Sequence, residues 1–541
     1  MSGAPVSGGR GLAGSASRGA VVTLVGQAVR VVVQLAGIVV LARLLSPEDY
    51  GLVAIVAAII GFGEIFRDFG LSSAAIQARV LTDGQRDNLF WLNTGIGGVL
   101  AVLVCAAAPL LAAAFDDDRL VPLAMALSAT FLLNGISTQY RAMHARHLRF
   151  GRLALSEITG QLAGVALGIT AAALGAGYWA LVVLQLGQLV VTQVLLVATN
   201  RWLPGRPRRD ESIRPFVGYG AQLIGAQLLN HLASNVDTLT IGARFGAVPA
   251  GLYNRAFQLV MMPLLQVQMP STRVALPVLS RLQDQRERFA DFLLFGQVVL
   301  LSLIGTVFGV LVAQAPDVVH LALGPQWPEV VPLLRILLVA GFFQAAGYAT
   351  YWVFLAKGLT RTQFVYALVT RPVVAAMVVA GSVWGLRGVA VAYAAGAALS
   401  WPTALLWIRR ASDAPVGRMF GNGLRALVVF GTASAVSWLS TRELPADAHV
   451  LRLLVGALVL VAVAGLLVLL WPAYRRDARR MWSLREHLGR RRGRHGRPAR
   501  GEARGRHAAG AAPTSTREAG GPLASAGAVA GSGRPDREAG A

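Results

Sequence analysis

Apolar runs of spanning length, separated by short polar breaks, recur along nearly the whole chain. Fourteen are predicted as membrane helices, near residues 20–41, 50–66, 89–114, 119–140, 153–175, 177–198, 215–241, 252–275, 291–314, 329–355, 363–384, 386–408, 420–440 and 450–472. About 20 apolar residues make roughly 30 Å of helix, the thickness of the bilayer core. The first two form a hairpin. Ser46-Pro47-Glu48-Asp49 breaks the helix outside the apolar slab, and Tyr50–Phe66 returns into it. The fold class expected is an all-α polytopic membrane protein.

Several polar residues interrupt these runs. Gln27, Arg30 and Gln34 share one face of the first helix by the 3.6-residue period. Arg30 lies near the expected midplane, where a charge is costly unless it faces protein or water. Arg371 occupies a similar depth in the eleventh span. The seventh span carries Gln227, Asn230 and Asp237 on one arc, with His231 nearby. Glu64, Arg67 and Asp68 lie together at one end of the second span, and Glu157 and Gln161 are a helical turn apart in the fifth. Local ion pairing of the acids with Arg67 and with the basic loop at Arg141–Arg152 competes with an inner gate as their explanation. Arg255 and Arg335 are close enough to span ends to snorkel toward headgroups. The glutamines Gln185, Gln188, Gln193, Gln258, Gln266 and Gln268 are expected to make interhelical hydrogen bonds.

Composition agrees with a membrane chain. Apolar residues make up 55% and charged ones 14%, against about 25% charged in a soluble domain; mean hydropathy is +0.56. The net charge of +23 is concentrated in a tail that holds 16 Arg against 6 acidic residues from Tyr474 onward, and in loops. Alternate loops carry 20 Lys or Arg against 6 on the opposite side, which places both termini in the cytoplasm. The first 19 residues and the tail 474–541 read as disordered. The tail suits anionic lipid, and nucleic-acid binding is not expected. Leu279–Phe292 reads as a short charged helical linker at the inner interface. Cys105 is the sole cysteine, and no HExxH, CxxC or phosphate-binding Gly-x4-Gly-Lys loop occurs, so neither metal nor ATP chemistry is indicated. His144 and His147 fall in a basic loop.

Ala42-Arg43 recurs as Ala243-Arg244, and Gly51-Leu52 as Gly251-Leu252. Six spans precede the second copy, so the two halves share one orientation and a pseudo-twofold axis along the membrane normal is expected. The domains follow: a six-helix bundle over 20–198, a basic linker over 199–214, a second bundle over 215–410, and two additional helices over 411–473.

The hairpin Gln27–Gln77 resembles the N-terminal signature of Wzx-type polysaccharide flippases of the MOP superfamily. Asn235-Val236-Asp237, Gly251-Leu252-Tyr253-Asn254-Arg255-Ala256, Leu276–Gln283 and Leu323-Gly324-Pro325-Gln326-Trp327 extend the resemblance over about residues 20–410. The resemblance implies transbilayer transfer of a polyprenyl-diphosphate-linked oligosaccharide by alternating access, through a lumen between the bundles. Arg30 and Arg371 then become candidate phosphate ligands, because guanidinium offers planar donors and stays charged. Gln27, Gln34, Gln227 and Asn230 would serve the sugar head. Asp237 is a candidate for coupling, with Glu64, Arg67, Asp68 and Glu157 candidates for gating. Polysaccharide polymerase and glycosyltransferases are candidate partners, and an ion gradient or the membrane potential is the expected drive. The alternatives are a multidrug cation exporter of the same superfamily, or a membrane enzyme of polysaccharide assembly, which would need a large outer loop with paired catalytic residues.

Overall fold

A computed structural model of the chain describes residue 26 and residues 29–68, 81–147, 149–200, 202–208 and 235–472; for residues 66–68 it describes the backbone alone. Every regular element among them is a helix. In chain order these are α1 (29–44), α2 (Pro47–Asp68), α3 (Asp83–Phe115), α4 (Leu120–Arg146), α5 (Phe150–Ala173), α6 (Trp179–Asn200), α7 (235–245), α8 (Ala247–Arg281), α9 (Arg286–Ala313), α10 (Ala315–Ala322), α11 (Val330–Ala356), α12 (Thr360–Gly381), α13 (Gly385–Ala411), α14 (Val416–Thr441) and α15 (His449–Leu470). The N-terminal segment, the linker around 209–214 and the tail lie outside the described residues.

Nine stretches among the described residues are long and apolar enough to cross a membrane, and one of them, Thr360–Ala411, holds two helices. The long helices α2 and α8 are not among the nine. These two pack against each other between the halves, where α2 buries Leu52, Ile55, Val56 and Ile60 and α8 buries Leu252, Val260 and Leu264.

The break between α1 and α2 is built by its own residues. The Ser46 hydroxyl accepts from the Asp49 amide at 3.2 Å, and Asp49 accepts from the Ser46 amide at 2.9 Å, a reciprocal cap with Pro47 at the first helical position. Two hundred residues on, Gly246 makes the equivalent break with φ +81°, and α8 starts at Ala247 as α2 starts at Pro47. Two sequence expectations change here. Leu279–Phe292 is not a separate interfacial helix: α8 runs to Arg281, α9 starts at Arg286, and all its charged residues but Asp284, which sits in the turn, ride on these helical extensions. His144 is not in a loop, because α4 continues to Arg146 and buries it completely.

Small residues set the tightest packings. Gly160, Gly164 and Gly168 line α5 one turn apart, and a Cβ at Gly164 would lie 2.6 Å from the Leu184 carbonyl oxygen of α6. The additional helices α14 and α15 are held by buried amides. The Gln314 side chain donates to Ser437 and Thr441 hydroxyls at 3.2 and 3.1 Å, and Gln297 donates to the Met419 carbonyl at 3.1 Å.

The halves meet at the end of the bundle where these two breaks lie, here called the hairpin end. A Cβ at Gly51 would fall 1.7 Å from the Ala247 carbonyl oxygen, and one at Gly251 would fall 1.8 Å from the Pro47 carbonyl oxygen. The contact is reciprocal, as a pseudo-twofold axis between the repeats requires. Around it, Gln326 and Trp327 both donate to the Ala42 carbonyl, at 2.7 and 2.9 Å, and Arg43 donates to the Leu321 carbonyl at 2.9 Å. Trp327 also meets the edge of Tyr50. The Leu323–Trp327 motif is therefore a clasp on the end of α1, and the short helix α10, which the sequence reading passed over as loop, delivers it.

Candidate functional site

Two polar clusters occupy the helical bundle, one in each half. In the first, Glu157 on α5 accepts from Arg30 of α1 at 2.8 Å and from Arg141 of α4 at 2.9 Å, one guanidinium on each carboxylate oxygen. Gln161, one turn further along α5, donates to the Arg30 carbonyl at 3.0 Å. The cluster joins three helices, two guanidiniums sharing one carboxylate. Arg30 and Arg141 are each more than a third exposed, so both still reach solvent or a ligand. Glu157 lies seven residues from the start of α5, about 10 Å at 1.5 Å per residue. Arg30 thus binds its partner nearer the arginine-loop end of the bundle, opposite the hairpin end, than the midplane depth read from its own span.

In the second half Arg371 sits halfway along α12, about 16 Å from its start, followed by Pro372. It is partly buried beside Tyr366 and Tyr393. Among the described residues no carboxylate pairs with it. Tyr366 donates to the Ser400 carbonyl at 2.9 Å, and the Tyr393 hydroxyl accepts from Gln344 at 3.0 Å. Tyr393 meets the edge of Phe257, which stacks on Tyr253. The Tyr253 hydroxyl donates to Asp237 at 2.7 Å, and the Thr238 amide donates to the other Asp237 oxygen at 2.8 Å. Asp237 is 2% exposed. An aromatic chain therefore runs from the α7 carboxylate to the neighbourhood of the α12 guanidinium.

The remaining candidates distribute as follows. Gln34 is exposed on α1, one turn from Arg30. Glu64 accepts from Asn134 of α4 at 3.0 Å. The side chains of Arg67 and Asp68, and all of Gln27, Gln227, Asn230 and His231, lie outside the described residues. Arg255 does not snorkel. Its guanidinium lies over the Tyr50 ring at 3.8 Å, and its Nε is buried with no hydrogen-bond partner. The crossing of α2 over α8 covers it before it can reach the headgroups. The expected pairing of Glu157 with the basic segment Arg141–Arg152 is met by Arg141; Tyr253 and Tyr393 are site residues the sequence reading missed. Arg141 was assigned to a loop because the span was ended too early, and Tyr253 stood unused inside a quoted motif. Tyr393 carried no signal.

This architecture is a multi-pass transporter fold. It superposes on the lipid II flippase MurJ in an inward closed conformation with a TM-score of 0.64 at 14% identity, covering 82% of this chain and 97% of that one. An inward-facing multidrug resistance MATE family transporter of the MOP superfamily gives a TM-score of 0.57 at 17% identity, over 72% and 96%. At the sequence level, residues 40–332, more than half the chain, match the family model described as polysaccharide biosynthesis protein, and the chain belongs to that family. It is 27% identical to the lipopolysaccharide biosynthesis protein WzxC of Escherichia coli strain K12 over 362 residues, 65% of this chain and 73% of that one. It is 29% identical to the teichuronic acid biosynthesis protein TuaB of Bacillus subtilis strain 168, over 55% and 62%.

Proposed function

We propose that the protein moves a polyprenyl-diphosphate-linked oligosaccharide across the cytoplasmic membrane for surface-polysaccharide assembly, as a carrier and not an enzyme. Both termini face the cytoplasm, and the hairpin end faces out. The observation that carries this reading is Arg371, a mid-span guanidinium with no carboxylate partner among the described residues; in the other half two guanidiniums share Glu157. Family membership points to polysaccharide biosynthesis; the arginines within the bundle supply a reason for the diphosphate. Arginine recognises phosphate through charge-assisted, multidentate hydrogen bonds.

An organic-cation exporter fits this chemistry poorly. It needs an accessible carboxylate, whereas Asp237 is sealed against Tyr253 and Glu157 already holds two arginines. The named contacts between halves gather at the hairpin end, which suits a carrier closed outward and ready to load from the cytoplasm. The drive is an ion gradient or the membrane potential, and the polymerase and glycosyltransferases act before and after it.

The test is flipping of a defined polyprenyl-diphosphate oligosaccharide in proteoliposomes. Replacing Arg371 with Gln should lower transport by about tenfold or more, the loss of one charge-assisted hydrogen bond to phosphate. Full activity of R371Q at equal protein level would remove the phosphate assignment.

A further inference from the structure

A lateral groove of about 430 Å³ runs between α9, α11 and α14, on the hairpin-end half of the bundle. Its floor is made of small residues, among them Gly309, Gly431 and Ala435, and its walls of aromatic ones such as Phe342 and Trp438. α9 packs closely on α14 at Gly305 and Phe430 and on α11 at Phe308 and Gly341, and the apolar trough beside these contacts is one that something in the bilayer must fill. One charged side chain lines it. Arg335 stands at the end nearest the hairpin surface, its Nε donating to the Val312 carbonyl at 3.3 Å. Among the described residues it has no carboxylate partner. A second guanidinium, that of Arg442 at the end of α14, lies over the Trp438 ring at 4.6 Å without itself lining the groove. Glu443 and Asp447 follow on that loop but do not line the groove.

We propose that this groove binds an anionic glycerophospholipid of the outer leaflet, one acyl chain along the trough and the phosphodiester on Arg335. The charge pattern selects the occupant. A phosphate with no compensating ammonium suits the Arg335 guanidinium, whereas the ammonium of a zwitterionic headgroup would meet like charge. Trp438 sits at the depth where indole rings favour the membrane interface. The site is separate from the polar clusters that carry the transport reading; only its assignment to the outer leaflet rests on the orientation proposed above.

The experiment is native mass spectrometry of the full chain in detergent with added phosphatidylglycerol or phosphatidylethanolamine. The wild type should retain phosphatidylglycerol in preference. R335Q should weaken that binding by about tenfold. Gly431→Leu should do the same with Arg335 intact. A Cβ at Gly431 meets nothing within 4 Å, so the larger side chain fills the trough without forcing the helices apart. Gly98→Leu on α3, whose Cβ is equally unobstructed, should bind as wild type. Equal retention of the two lipids by the wild type, which needs no variant to fold, overturns the proposal. So does unchanged binding in both R335Q and G431L. A polyprenyl phosphate that displaces phosphatidylglycerol at lower concentration would assign the groove to the substrate's tail instead.

Discussion

The reciprocal contact of Gly51 and Gly251 makes a quantitative demand on the closed state. A methyl group at either position would sit within 2 Å of a carbonyl oxygen of the facing helix, where ordinary contact begins at 3.4 Å. The first turns of α2 and α8 must then part by roughly 1–2 Å, since both obstacles are backbone. Overpacking of this kind costs about 1–3 kcal/mol. At about 2 kcal/mol, Gly51→Ala shifts the closed-to-open ratio at the hairpin end by about thirtyfold. The two glycines share one crossing, so a separation forced by one substitution relieves the other. The double variant should therefore cost little more than either single one, with a coupling energy of about 1–2 kcal/mol. The readout is alkylation of a thiol at Ala42, which is fully buried beside the clasp, in a background where Cys105 is replaced by Ser. Labelling should rise about thirtyfold in G51A and in G251A, and no more than a few-fold further in the pair. Additive effects, or unchanged labelling in both single variants, would refute the crossing as the closure.

Other consequences are as direct. Trp327→Phe removes one of two donors to the Ala42 carbonyl and should raise the same labelling by about tenfold, a loss near 1–1.5 kcal/mol. Gln314→Leu leaves the buried Ser437 and Thr441 hydroxyls without their shared amide and should destabilise the docking of α14 and α15 by about 1–3 kcal/mol, read as a lower midpoint in thermal unfolding. Glu157→Gln frees two guanidiniums from one carboxylate and should lower KM for a diphosphate substrate while also lowering turnover in the flipping assay. At the arginine-loop end, the Lys357 ammonium hydrogen-bonded to Asp413 holds that carboxyl below its ordinary value of 3.8. A depressed carboxylate stabilises the fold above its unfolded pKa, so this contribution should be constant from pH 8 to 5 and be lost as pH falls below about 3.8. Asp413→Asn should abolish that acid limb of the melting profile.

What the sequence disclosed, and what it hid, divides along the range of the interactions. Spans were legible because the bilayer imposes length and apolarity on each helix separately, and the hairpin break was legible because Ser46, Pro47 and Asp49 cap locally. The repeat at Gly51 and Gly251 was visible as letters. Its meaning was not, because a glycine against a carbonyl 196 residues away leaves no periodic trace. Arg30 and Glu157 were each singled out, yet nothing in their spacing joined them, since the partners of a helix face depend on which helix lies beside it. The same limit explains Arg255: distance from a span end says it can snorkel, and only the crossing of α2 over α8 shows that it is covered. Asp237 was read as a candidate for coupling, and nothing in the spacing showed that its contact is the Tyr253 hydroxyl.

The two polar clusters are not equivalent, and their difference bears on the order of events in the proposed transport. Near the arginine-loop end, a diphosphate must compete with Glu157 for Arg30 and Arg141, so the cluster holds the substrate only while the carboxylate is displaced. The restoring attraction of Glu157 makes that grip reversible. Deeper in the bilayer, Arg371 offers a guanidinium with no competing carboxylate described, and a group passing from the first cluster to the second gains an unopposed partner. The route is then downhill from the loading end to the middle. Release must come from a change around Arg371 itself. Its neighbour Tyr393 on α13 meets Phe257, which stacks on Tyr253, and both belong to α8, the helix whose first turn forms the closure. Separation of α8 from α2 thereby disturbs the surroundings of Arg371 in the same movement that opens the hairpin end.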